Sequence, residues 1–416
     1  MKGFIFSILC TLTAIQLGAQ QNCYSFPYQE SAISKDPLLL SRAQAIETFI
    51  RHQLSIPGNT LTGRTTGNVI RIPVVVHVLY HYPSEKISDA RIINQLDALN
   101  KCFRRTNADS VNTPAVFKPL AADCEIEFQL ARSDARMRST TGIIRKYTPI
   151  TTWTADDKMK FSAEMGDDAW DPKSYLNIWV CNLDRLAGYA SFPGGPADKD
   201  GIVLDFDVFG TNTSGAYGMG KTGVHEVGHW LGLKHLWGDA LCGDDAVDDT
   251  PKQAGYTPGC PTGTRVTCNN GPNGDMYMNY MDFTSDPCMN LFTRGQKARM
   301  QALFITGGPR HDLLSSKGFD PPMIFESPLP EADPVWLHPQ LYPNPATTDI
   351  TLDLAYDTRW IGNMIRITNL QGQTIMNVMI TSKNQGINIS RLQRGLYFLA
   401  AKRGDGESIL KRFIKL

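Results

Sequence analysis

The chain has 416 residues, and its 41 Lys and Arg are matched by 41 Asp and Glu, for a formal net charge of zero. With that balance and no Lys/Arg-rich stripe, there is no electrostatic drive toward nucleic acid. A composition that is 42% hydrophobic and 20% charged is that of a globular protein, and the length suits two or three domains.

In chain order, residues 1–19 read as a secretory signal peptide: Lys2, a mainly apolar stretch over 4–17, then Leu17-Gly18-Ala19 before a plausible cut. The apolar stretch is too short and interrupted for a membrane span of about 20 residues. No other stretch reads as transmembrane, and no lipobox precedes Cys10 or Cys23. The remaining chain is therefore expected in an oxidising compartment. Residues 20–63 read as a pro-segment containing Cys23. A thiolate is a good zinc ligand, so Cys23 either caps a metal in a latent zymogen or is an unpaired bystander. Arg51, Arg64 and Arg71 are available as processing points.

The Val/Ile run over 69–80 predicts a buried first strand. Residues 88–104 have helical spacing through Ile92, Ile93, Leu96, Leu99 and Phe103, and 125–130 and 176–181 read as further strands. This alternation predicts a twisted mixed sheet with helices packed on it. His77 and His81 do not form a metal pair, because four residues on a strand span about 13 Å.

The most specific stretch is His225-Glu226-Val227-Gly228-His229-Trp230-Leu231-Gly232-Leu233-Lys234-His235, which holds three of the chain's eight histidines. Residues four apart share a helix face, so His225 and His229 can reach one zinc ion. Gly232 can end the helix in a left-handed turn and swing His235 back as third ligand. Three neutral ligands leave a fourth position for water, the arrangement of a catalytic zinc. Glu226 is then the general base and acid. The rival, non-catalytic reading is a zinc-stabilised surface binding protein, which has no need of Glu226.

This stretch, together with Asp248-Asp249-Thr250-Pro251, Asn279-Tyr280-Met281-Asp282 and Asp286-Pro287-Cys288-Met289-Asn290, resembles the pappalysin family of metzincins. The resemblance covers roughly residues 70 to 310 and takes in Arg104-Arg105-Thr106-Asn107 and Tyr175-Leu176-Asn177-Ile178-Trp179-Val180. It implies an α/β (α+β) zincin fold with an active-site helix, secreted zinc endopeptidase activity on proteins and peptides, and structural calcium. Met281 corresponds to the Met-turn residue beneath the metal. Asp286 falls where ulilysin-type members place an acidic residue in the S1′ pocket, implying cleavage N-terminal to Arg or Lys; the alternative is an ordinary loop aspartate.

The same resemblance implies calcium near Asp245 and Thr250, within a loop that also holds Asp239, Asp244, Asp248 and Asp249. Asp249 is the candidate for a structural role, and a solvated acidic loop is the alternative. It also implies the pairs Cys242–Cys268 and Cys260–Cys288, one of the three pairings four cysteines allow. Of the nine cysteines, Cys102, Cys124 and Cys181 are left with one further pair possible. Many family members carry Tyr two residues after the Met-turn methionine; here that residue is Phe283, which has no hydroxyl to offer an oxyanion.

Residues 64–317 are thus the expected protease domain. Residues 318–340 are rich in proline (Pro321, Pro322, Pro328, Pro330, Pro334, Pro339) and read as a linker. Short alternating runs near 350–354, 365–368, 375–380 and 396–400 predict a small Ig-like β-sandwich over 341–416. Leu341-Tyr342-Pro343-Asn344-Pro345-Ala346, Asn369-Leu370-Gln371-Gly372-Gln373, Gly395-Leu396-Tyr397-Phe398 and Lys411-Arg412-Phe413-Ile414-Lys415-Leu416 resemble the sorting domain of the Bacteroidetes type IX secretion system. That resemblance implies the type IX machinery as a partner, passage through the periplasm, and a secreted or cell-surface destination. The rival is a retained adhesion or carbohydrate-binding module.

Overall fold

The computed structural model describes residues 22–56, 69–211, 215–325, 333–355 and 357–416. The expected signal peptide, Arg64 and the proline pair Pro328 and Pro330 lie outside the described residues.

The first described segment is a short strand, β1 (Asn22–Cys23), followed by helices α1 (Ser25–Lys35) and α2 (Leu38–Ser55). The Val/Ile run forms β2 (Ile70–Tyr80), buried at every position but Arg71. A strand with both faces covered needs apolar side chains on both, so the run is continuous rather than alternating. Helix α3 (Asp89–Phe103) starts at Ser88, whose hydroxyl caps the Arg91 N–H, and buries Ile92, Leu96, Leu99 and Phe103. Ile93, also part of the predicted apolar spacing, faces solvent.

Strands β3 (Ile126–Leu130), β4 (Ile143–Tyr147), β5 (Leu176–Cys181), β6 (Leu186–Ala190) and β7 (Ile202–Asp205) complete a seven-stranded mixed sheet. Its order is β1-β6-β7-β5-β2-β3, with β4 also on β2. β6 runs antiparallel to β7, and β1 adds to it in parallel, with Cys23 opposite Gly188. The strand nearest the histidine motif is thus covered by the N-terminal segment, which takes up backbone groups an edge would leave unpaired.

Helix α4 (Lys221–Trp230) carries the motif and packs on β6, β7 and α3. Its end is a Schellman turn: Gly232 has φ +78°, and Leu233 N–H reaches Gly228 O at 3.0 Å. Buried Arg310 braces this end. Its guanidinium sits 3.9 Å over the Trp230 ring, donates to Trp230 O at 3.1 Å, and pairs with Asp200 at 2.8 Å. Helix α5 (Arg294–Ala302) opens with a capping box between Thr293 and Gln296. It contacts α2 through the Arg299–Glu47 ion pair at 2.7 Å.

The described parts of the proline-rich stretch lie along the protease rather than free of it. Gly318 O accepts from Arg132 N–H, Ile324 bridges to Arg138, and Asp333 pairs with Lys86 at 2.6 Å. Beyond it, β8 (Gln340–Tyr342), β9 (Asp349–Asp353), β10 (Met364–Thr368), β11 (Thr374–Met379), β12 (Asn384–Asn388), β13 (Gly395–Lys402) and β14 (Ser408–Lys415) form two antiparallel sheets. The sheets, β11-β10-β13-β14 and β12-β9-β8, close over Ile350, Leu352, Ile365, Ile367, Leu399 and Phe413. This is a β-sandwich with its own core.

Candidate metal centre and active site

Helical geometry brings His225 and His229 onto one face of α4, and the turn at Gly232 returns His235 to them. The three Nε2 atoms lie 3.0, 3.1 and 3.3 Å apart. Each opposite nitrogen has an acceptor: His225 Nδ1 faces Tyr280 O at 2.7 Å, His229 Nδ1 faces Leu233 O at 2.8 Å, and His235 Nδ1 faces Asp239 at 2.5 Å. With the proton on Nδ1, all three Nε2 lone pairs point at one centre. Three neutral acceptors that close repel unless a cation sits between them. A tetrahedral zinc with bonds of about 2.0–2.1 Å would separate its ligands by roughly 3.3 Å, so the donor set fits this ion. Burial, then the neighbouring histidines (His235 for His225; His235 and His225 for His229), oppose protonation: His225 is pushed down to about 3 and His229 well below its ordinary value.

Cys23 Sγ joins this group, and all four ligand atoms lie within 4.8 Å of one another. Among the described residues it is the one cluster of three or more His, Cys, Asp or Glu side chains able to share an ion. Burial, then the charge of Glu226, pushes the Cys23 thiol well up, so a thiolate there needs a compensating cation.

Glu226 is fully buried beside the histidines, and burial pushes its carboxyl up to about 7 against the opposing Ser25 hydrogen bond. The Ser25 hydroxyl donates to Glu226 Oε2 at 2.7 Å and accepts from Ala190 N–H at 2.8 Å. The N-terminal segment therefore reaches both the histidine cluster, through Cys23, and the carboxylate, through Ser25. Nothing in the sequence around Ser25 signals that contact.

Met281 lies under α4. A Cβ on Gly228 would meet Met281 Sδ at 2.5 Å, so only glycine admits the sulfur this close. Phe283 packs its ring 5.1 Å from His225 and 4.9 Å from His235. Asp286 is 1% exposed and lines the cleft in front of the histidines with Tyr217, Glu226 and Phe283. Its Oδ2 accepts N–H bonds from Met219 at 2.8 Å and Lys221 at 3.2 Å, while Oδ1 has no partner. Burial pushes its carboxyl up to about 6, against the pull of those N–H groups and the Lys221 charge.

The structure joins Cys242 to Cys268 and Cys260 to Cys288. Cys102, Cys124 and Cys181 are buried free thiols, so the further pair left open among them does not form. The acidic loop divides its carboxylates. Asp249 holds the start of α5 through Thr293 Oγ1 at 2.6 Å and Gly295 N–H at 2.8 Å, and Asp239 orients His235. Asp245 accepts from Thr250 Oγ1 at 2.8 Å, and no three carboxylates converge among the described residues. His77 is a structural residue, with Nδ1 at 2.6 Å from Asp167 and Nε2 at 3.1 Å from Asn177.

The mixed sheet, the motif helix ending at Gly232, the three converging histidines and the methionine beneath them define a metalloendopeptidase of the metzincin class. Residues 160–304 match the family model described as pregnancy-associated plasma protein-A, and residues 340–416 match the secretion system C-terminal sorting domain. An extracellular metalloprotease of Verticillium alfalfae is 30% identical over 264 residues, 60% of this chain and 80% of that protein. Among solved structures, Tannerella forsythia mature mirolysin in complex with a cleaved peptide is 48% identical with a TM-score of 0.58, covering 59% of this chain and 96% of that one. A Tannerella forsythia promirolysin mutant is 43% identical with a TM-score of 0.65, covering 72% and 98%. The chain belongs to the pappalysin family of metalloproteases, in zymogen form and with a type IX sorting domain. It is a secreted or cell-surface protein of the Bacteroidetes type. No helix among the described residues is long and apolar enough to cross a membrane.

Proposed function

We propose that the chain is the latent form of a zinc endopeptidase that cuts proteins on the N-terminal side of Arg or Lys. The observation that carries the specificity is the unpartnered Oδ1 of Asp286, a buried carboxylate in the wall of the cleft before the histidines. A buried acceptor without a donor is costly, and a guanidinium or ammonium entering the cleft supplies one.

His225, His229 and His235 would hold a zinc ion, which when bound would supply Lewis-acid chemistry to water and the scissile carbonyl. Glu226 takes the water's proton and delivers it to the departing amine nitrogen. His225, His229 and His235 keep their Nδ1 protons on Tyr280 O, Leu233 O and Asp239, which holds the rings in register. Phe283 brings no hydroxyl to the oxyanion.

In the same reading Cys23 is the latency ligand, and residues 1–19, 20–63 and 341–416 are the signal, pro-segment and sorting domain removed from the working enzyme, with 64–317 as the protease. The parallel pairing of Cys23 beside β6 supports this reading. Structural calcium at Asp245 and Thr250 belongs to the proposal too: burial pushes the Asp245 carboxyl up to about 7, a cost that a bound cation relieves.

Cleavage-site profiling on a complex peptide mixture, with Glu226→Ala as control, tests activity and specificity together. Cuts clustered before Arg and Lys and absent from the control are expected; cuts indifferent to the P1′ residue sink the specificity. Calcium is tested by thermal unfolding of the Glu226→Ala chain, where a calcium-dependent rise in Tm that Asp245→Ala abolishes is expected.

A further inference from the structure

Lys221 is an ammonium in a place where the proposed specificity would not want one. It starts α4, is 3% exposed, and donates to the backbone O of Asp286 at 2.7 Å. A cation beside Asp286 should cancel the charge that is to recruit Arg or Lys.

The side chain's three donors are all committed. One goes to Asp286 O, a second to Met289 O at 2.6 Å, and the third to the carboxylate of Asp109, which it meets as an ion pair. An ammonium has three N–H groups, so none is left for Asp286 Oδ1, and that oxygen indeed has no partner. Asp109 is itself held: its other oxygen accepts from Asn107 Nδ2 at 2.6 Å, and that amide also donates to Asn290 O at 3.2 Å. Asp109, Lys221 and Asp286 together carry one net negative charge, and that charge is exposed to the cleft only through Asp286.

We infer that Asp109 is a specificity-determining positioning residue: by engaging Lys221, it leaves the Asp286 carboxylate uncompensated for a basic P1′ side chain. This rests on the reading of Asp286 as the P1′ acceptor. Without Asp109, the Lys221 ammonium is left with Asp286, whose carboxyl its charge already acts on, and the trio becomes neutral. A guanidinium entering the cleft then meets an acceptor already answered.

The test uses the full chain, activated by its own processing, and matched peptides with Arg, Lys or Leu at P1′. The quantity read is the ratio of kcat/KM for Arg over Leu, so that a general loss of folding or catalysis cancels. In Asp109→Asn the ratio is expected to fall roughly thirtyfold or more, the lower end of what removing one partner of a buried charge pair costs. In Asp109→Asn/Lys221→Met, with the competing cation gone, the preference returns. A ratio unchanged in Asp109→Asn overturns the inference, as does an equal loss on all peptides or a double variant that fails to recover. A parent enzyme with no basic preference refutes the reading of Asp286 instead, and Asp286→Asn read alongside separates the two failures.

Discussion

Ser25→Ala separates the zymogen from the mature enzyme more cleanly than any change at the metal. The Ser25 hydroxyl donates to Glu226 Oε2 at 2.7 Å and accepts from Ala190 N–H at 2.8 Å, so one oxygen joins the N-terminal segment to both the helix and the sheet edge. Glu226 is fully buried, and its Oε1 already lacks a partner. Removing the hydroxyl leaves the carboxylate with Cys23 as its remaining hydrogen-bond neighbour and orphans the Ala190 N–H. A hydrogen bond to a charged group contributes about 1.5–3 kcal/mol, which corresponds to roughly 10- to 150-fold in the opening equilibrium of the segment. In the proposed processing the hydroxyl leaves with residues 20–63, so the mature enzyme should be unaffected. The assay follows conversion of purified zymogen at low concentration, where the first-order process dominates, by intact mass against time. Conversion is expected to accelerate by about tenfold or more, with kcat/KM of the processed enzyme unchanged. Conversion within twofold of the parent would refute the argument that this contact holds the latent state.

Selectivity should follow the ionisation of Asp286, pushed up to about 6 by burial. The preference for Arg at P1′ over Leu is expected to be full above about pH 7 and to fade as pH drops through about 6, because a neutral carboxyl no longer attracts the cation. A ratio of kcat/KM values flat across that range contradicts it. Chelation should abolish activity and lower Tm. Glu226→Ala should retain one zinc by elemental analysis and lose on the order of 10²–10⁴ in rate, the usual contribution of a general base; loss of the metal in that variant would assign Glu226 a structural role. Replacing Cys242 and Cys268 by Ser opens a loop closed across a separation of 26 residues and should cost about 3–4 kcal/mol. Urea unfolding of the latent Glu226→Ala chain measures this, and a loss under 1 kcal/mol, roughly a quarter of the chain-entropy value, would show that the loop is held by other contacts.

How much was legible depended on the range of the interaction. The predicted strand over 69–80 and the helix over 88–104 appear within a residue or so at each end, because burial on one or both faces writes its period into adjacent side chains. The short strand β1 escaped the sequence reading, since two residues carry no period and pairing depends on the edge that β6 presents. The same limit applies to the proline-rich stretch. Its composition signals an extended chain but not the protease surface along which Gly318, Ile324 and Asp333 lie.

The amino-acid sequence by itself determined the convergence of the three histidines. Histidines four apart must share a helix face, and a glycine three residues further on can take the left-handed turn that returns the third, all within eleven residues. Tertiary structure alone decided what surrounds that triad. Ser25 reaches Glu226 across 201 positions, and Lys221 reaches Asp109 across 112. The bonds that leave one oxygen of Asp286 free arise where α4 packs against a distant loop. Local spacing fixes what a single turn of backbone can hold, whereas the partner of a buried charge is chosen by whichever distant segments the core brings together, and no short stretch of sequence records that choice.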